Sequence, residues 1–208
     1  MHQKRGLTAK GPSLFSVSRA VCFAAFALGA VFGTLCGSSS NGSAAVVVNS
    51  ALDRFLGYIT ERDIASTLMF AGISLASFVL IFLSSLFLLG FVSAPAVLFF
   101  KAFSFSYLSS AALCSWGSGV FKLFLVYSAC DVLIMIPALI CLSVRSFEYS
   151  CRLFGKIFTG RIGKAYDAAY VKIFSAIIPV LGAAFLIQHY LIPLLAGFLS
   201  SGPLRNLI

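Results

Sequence analysis

Apolar positions in this chain do not alternate with polar ones. They run on in blocks, each long enough to cross a bilayer. Five blocks stand out, at 20–36, 66–90, 93–115, 120–144 and 173–199. A helix needs about 20 mainly apolar residues to span the hydrocarbon core. Only helices and closed barrels satisfy every backbone N–H and C=O there. The period-two alternation of a barrel strand is missing, so the pattern predicts an all-α fold, a polytopic transmembrane helical bundle of about five spans. Residues 1–19 form a basic N-terminal segment and 20–208 a single transmembrane domain. Only Phe91 and Val92 separate the second and third blocks, which predicts a tight helical hairpin. The third and fourth are joined through Trp116 to Gly119 as antiparallel neighbours. Four or six spans are the alternatives, if the block around the hairpin is re-entrant or the first span is removed as a signal.

The polar segments carry weaker periodicities. In the outer loop, 37–65, a Ser/Gly/Asn stretch at 38–43 gives a flexible exit from the first span. Val48, Leu52, Phe55, Leu56 and Ile59 then recur at helical spacing, predicting a short amphipathic helix on the membrane surface. It either caps the bundle or offers Leu52, Phe55, Leu56 and Ile59 as a docking surface. The inner loop, 145–172, places Phe147, Cys151, Phe154, Phe158 and Ile162 on one stripe among basic residues, as a basic amphipathic helix at headgroup level does.

Charge sets the expected orientation. The chain is 60% hydrophobic and only 10% charged, with a net charge of +9; its mean hydropathy is +1.03. Lys4, Arg5, Lys10 and Arg19 precede the first span without an acidic residue, and six further basic residues lie between Arg145 and Lys172. With five spans both segments fall on one side, so the positive-inside rule predicts a cytoplasmic N-terminus and an outer C-terminus in the cell membrane. Anionic lipid at the inner face accounts for the charge without any nucleic-acid partner. The start of the chain resembles a secretory signal, but Leu35 stands where a lipoprotein signal needs a small residue. The expectation is an uncleaved signal anchor.

Little of the sequence points to catalysis. There is no H-E-x-x-H, no G-x-S-x-G and no Gly-Lys-Ser/Thr of a phosphate-binding loop. The six cysteines include no C-x-x-C pair and have apolar neighbours, so neither a metal nor a cofactor is expected. Cys36 and Cys114 both lie at outer span ends, where an oxidised bond is one option. Gly29 and Gly33 form a G-x-x-x-G step, continued by Gly37, that suits close helix approach in lipid. Charge in hydrocarbon is a functional hypothesis by default. Lys101 in the third span and Asp131 in the fourth are expected within about one helical turn of each other in depth, as an intramembrane pair that is either structural or an ion relay. His189 in the fifth span is a further candidate for either role.

A family resemblance rests on particular residues. Phe87-Leu88-Leu89-Gly90 is followed by Pro95 and by Lys101-Ala102-Phe103-Ser104-Phe105-Ser106-Tyr107, and later by Asp131-Val132-Leu133-Ile134-Met135-Ile136-Pro137. With a basic start, one anchor span, an amphipathic outer loop and four more spans, this resembles the stage II sporulation protein M family of endospore-forming bacteria. Ala102 and Ser106 stand where that family has glycines, and Asp131 where it more usually has an amide or other polar residue. The resemblance implies a non-enzymatic membrane scaffold in forespore engulfment. It would localise a peptidoglycan amidase and a lytic transglycosylase at the septal membrane. The alternative is a small transporter, a channel or a transporter accessory subunit using Lys101, Asp131 and His189.

Overall fold

The computed structural model describes residues 14–39, 50, 64–86, 88–158 and 168–187. They build five helices, with no strand among the described residues: α1 (Leu14–Ser38), α2 (Ile64–Leu86), α3 (Gly90–Cys130), α4 (Ile136–Phe158) and α5 (Ala168–Leu186). A π-helical turn, Asp131–Met135, leads from α3 into α4. Among these residues, three stretches are long and apolar enough to cross a membrane: Ser16–Ser38, Gly90–Cys114 and Val132–Gly155. Shorter apolar stretches run over Leu75–Leu86 and Val171–Ala184.

The hairpin between α2 and α3 is tighter than the hydrophobic pattern suggests, because the chain turns at Leu88 and Leu89 and not at Phe91 and Val92. The Leu89 N–H donates to the Ser84 carbonyl at 2.9 Å and the Leu88 N–H to that of Ser85 at 3.4 Å. This is the double bond of a Schellman cap, which needs a left-handed residue at its centre. Leu88 fills that place at φ 65°. The Val92 and Ser93 N–H groups then donate to the Leu89 carbonyl and start α3. A leucine in this region costs about 1–2 kcal/mol relative to a right-handed conformation. Leu88→Gly is therefore expected to raise stability in detergent by about 1 kcal/mol, seen as a higher midpoint in thermal unfolding. An unchanged or lower midpoint would mean that contacts of the leucine side chain outweigh its strain.

Gly90–Cys130 keeps helical hydrogen bonding along its length. The axis nevertheless folds back. Phe105 and Phe124 would be about 28 Å apart in a straight helix, yet their ring centroids lie 5.9 Å apart. At the other end Phe91 meets Phe154, at 6.5 Å between centroids. The first part of α3 thus runs antiparallel to α4. Pro137 has no N–H for the Leu133 carbonyl, and its ring crowds that carbonyl. The wider π turn just before it accommodates both. The apolar stretch observed here, Val132–Gly155, ends well beyond the boundary expected at 144. The segment assigned to an inner loop is accordingly helical to Phe158, as the continuation of α4.

Contacts fix the other directions. Gly29, Gly33 and Gly37 of α1 lie against the backbone of Phe99, Phe103 and Tyr107 in that order, so α1 and the first part of α3 run parallel. The Ile81 and Ser85 carbonyls of α2 receive bonds from Ser146 and Ser150 of α4, which makes that pair parallel. α5 packs against the others through a stacked Phe82–Phe174 pair, at 3.9 Å between centroids, and through buried Ile177, Leu181 and Ala184.

Candidate functional site: a buried polar seam

Polar side chains concentrate at the end of the bundle where α1 begins and α4 ends. α4 carries them on two faces. On the first, Ser143, Ser146 and Ser150 follow at i, i+3 and i+7, which aligns them on one stripe of a helix. The Ser146 hydroxyl donates to the Ile81 carbonyl at 3.3 Å, and the Ser150 hydroxyl to that of Ser85 at 3.4 Å. Gly90 opens α3 against the same stripe. A Cβ there would run into the hydroxyls of Ser146 and Ser150 and stand 2.8 Å from the Ser85 Cα, so the three helices meet only because that position has no side chain. Ser84 and Ser93 bond across the hairpin at 2.5 Å. The Ser143 hydroxyl is buried without a hydrogen-bond partner among the described residues.

The opposite face of α4 holds the one described buried carboxylate. Glu148 is 4% exposed. Its Oε1 accepts from the Ser18 hydroxyl of α1 at 3.1 Å, and its Oε2 from the Arg145 guanidinium at 3.3 Å. The Arg145 side chain itself is 47% exposed, so it lies across the carboxylate with its outer part in contact with the surroundings. Burying a lone carboxylate is prohibitive, whereas a paired and hydrogen-bonded one is tolerated. Cys22, one turn along α1 from Ser18, is fully buried beside this contact.

Several residues singled out by sequence are also placed. Gly29 and Gly33 sit where a Cβ would strike the backbone carbonyls of Phe99 and Phe103. Lys101 is half-buried in α3. Asp131 opens the π turn, and its side chain lies outside the described set. His189 and the stripe Leu52, Phe55, Leu56 and Ile59 lie outside the described residues. Cys36 and Cys114 are both exposed and unbonded. No group of three His, Cys, Asp or Glu side chains comes together among the described residues.

The hydrophobic pattern did not single out Ser18, Arg145 and Glu148, because α4 continues past the expected end of its span. A signal was present in the serines at 143, 146 and 150, whose spacing marks a polar stripe on a helix that also buries Leu139, Leu142 and Phe147. What this arrangement does chemically is hold four helices in register. Most of its described hydroxyls, and the carboxylate, bond to a neighbouring helix. No family model, curated protein or solved structure matches the chain.

Proposed function

We propose that this chain is a non-enzymatic, multi-pass scaffold of the cell membrane, acting as the stage II sporulation protein M family does, and that it holds a peptidoglycan amidase and a lytic transglycosylase at the septum. The observation that carries the scaffold reading is the seam. Buried polar groups there are turned onto neighbouring helices, through Ser18–Glu148, Ser146–Ile81 and Ser150–Ser85, and knit the bundle into a fixed platform. A conducting path needs such groups to face a passage instead. The hydrolase partners rest on the resemblance carried by Lys101 and the Asp131–Pro137 run.

Five spans with a cytoplasmic N-terminus complete the proposal. Ser18 meets Glu148, so the start of α1 and the end of α4 lie at one end of the bundle. Both basic segments, 4–19 and 145–172, begin or end there, which by the positive-inside rule is the cytoplasmic side. The outer loop and the opposite span ends then face the compartment in which cell wall is cut.

An N-terminally tagged protein, purified with mild detergent from sporulating cells, tests both parts. The expected result is co-purification of the two hydrolase classes, lost when Leu52, Phe55 and Leu56 are replaced together by serine. The tag is expected to resist external protease in intact cells. Capture of neither hydrolase class by the unaltered chain would overturn the scaffold reading. A tag cleaved from outside would overturn the orientation.

A further inference from the structure

α3 leaves one arc of its midspan uncovered by any described helix. Ala94, Leu98 and Ala102 are buried and mark the side turned to the core. Phe99, Phe103 and Tyr107 mark the side against the glycines of α1. Between these sides lie Phe100, which is 65% exposed, and exposed Ser104, with half-buried Lys101 at the margin. In the span Gly90–Cys114 the two polar residues follow Gly90 by 11 (101 − 90) and 14 (104 − 90) positions, or about 16 and 21 Å at the helical rise. Both therefore sit near mid-membrane. The bundle gives its buried carboxylate two partners, Arg145 and Ser18. Among the described residues Lys101 has no ion pair and the Ser104 hydroxyl no hydrogen bond. An ammonium facing hydrocarbon is costly, and such residues pair with an opposite charge or mark a functional path.

We infer that this arc seats a transmembrane helix of a partner protein that carries a carboxylate at mid-membrane, held by the Lys101 ammonium and the Ser104 hydroxyl. This rests on the scaffold reading and names the chemistry of one partner. Charge complementarity selects the occupant. A second copy of the chain docked through the same arc on a two-fold axis would set Lys101 against Lys101. Lipid phosphates lie at the bilayer surface, a span half-length away.

The test uses the full-length protein in phosphatidylcholine vesicles and a fluorescently labelled polyleucine host helix with one central glutamate. Hosts with leucine at that position serve as reference, and association is read by energy transfer. The glutamate host is expected to bind about tenfold more tightly, the usual scale of a polar contact between membrane helices. Lys101→Met should reduce it to the leucine level and Lys101→Arg should retain it. Ser104→Ala, at an exposed position, should weaken it severalfold and serves as the second variant if Lys101→Met does not fold. Equal binding of both hosts, or glutamate-host binding that survives Lys101→Met, would overturn the inference. So would binding that appears only after Asp131→Asn, since the lysine would then already be held by the chain's own carboxylate. The probe is a designed helix, so a negative result here leaves hydrolase capture untouched. Failure of that capture likewise leaves this measurement standing.

Discussion

Gly33→Ile is expected to separate α1 from α3 in an otherwise inserted protein. A Cβ at Gly33 would stand 3.0 Å from the Cα and 3.1 Å from the carbonyl carbon of Phe103, and closer still to its oxygen. These are backbone atoms of a helix and cannot step aside, unlike the end of a flexible side chain. Overfilling a tight contact costs about 1–3 kcal/mol, and a β-branched side chain against a helix backbone belongs at the upper end. The same substitution at Gly182, where nothing lies within 4 Å, should be near neutral. Proximity of the two helices can be read directly, because the Ser110 hydroxyl donates to the Thr34 carbonyl at 3.2 Å. Thr34→Cys and Ser110→Cys, in a chain cleared of its native cysteines, should cross-link efficiently with a short bis-maleimide. Adding Gly33→Ile should abolish most of that product. Undiminished cross-linking would mean that the two helices find another way to stay together, and the close glycine contact would lose its structural role.

Arg145→Met is expected to be the most damaging single change in the polar seam. It leaves the Glu148 carboxylate buried with the Ser18 hydroxyl as its described partner. Breaking a fully buried ion pair from one side costs about 3–5 kcal/mol. Half of the Arg145 side chain is exposed, which screens part of the attraction, so about 2–3 kcal/mol is the reasonable expectation. Glu148→Gln keeps an oxygen for Ser18 and leaves Arg145 able to reach its surroundings. Its cost should be about 1 kcal/mol, the scale of one altered hydrogen bond. The informative variant is the double one. Arg145→Met with Glu148→Gln removes the stranded charge, so it should be more stable than Arg145→Met alone. Equilibrium unfolding in mixed detergent measures all three. Losses that simply add would show that the two side chains are not coupled, and Arg145 could not be what keeps the Glu148 carboxylate in its buried place against Ser18.

Helical character, stretches long and apolar enough to cross a membrane, and the hairpin between α2 and α3 were all legible as pattern, for a physical reason. Hydrocarbon imposes one rule on every residue that crosses it, and a local run of apolar side chains records that rule. The G-x-x-x-G step at Gly29 and Gly33 was equally visible, since small residues four apart share a face. Its meaning was not, because nothing local states which helix will lie against that face. The tertiary structure supplied α3, in parallel, with the Phe99 and Phe103 backbone as the contact.

The end of α4 shows the same division more sharply. Arg145, Glu148 and Arg152 mark, as a pattern, the edge of a span, and hydropathy therefore ends the span at 144 and puts the helix that follows at headgroup level. Packing decides otherwise. Phe147 is buried, Ser146 and Ser150 find the Ile81 and Ser85 carbonyls on α2, and Glu148 has Ser18 on α1, so the helix runs on. Those partners belong to residues 60 and more positions away in the chain. A carboxylate alone on a helix reads as solvent-facing; the same carboxylate opposite a serine and beside an arginine becomes part of the interior. Sequence determined that this chain forms membrane-compatible helices and which segments are basic. Only the assembled bundle decided where the polar groups are spent, because pairing energy depends on what a distant helix brings to the same point in space.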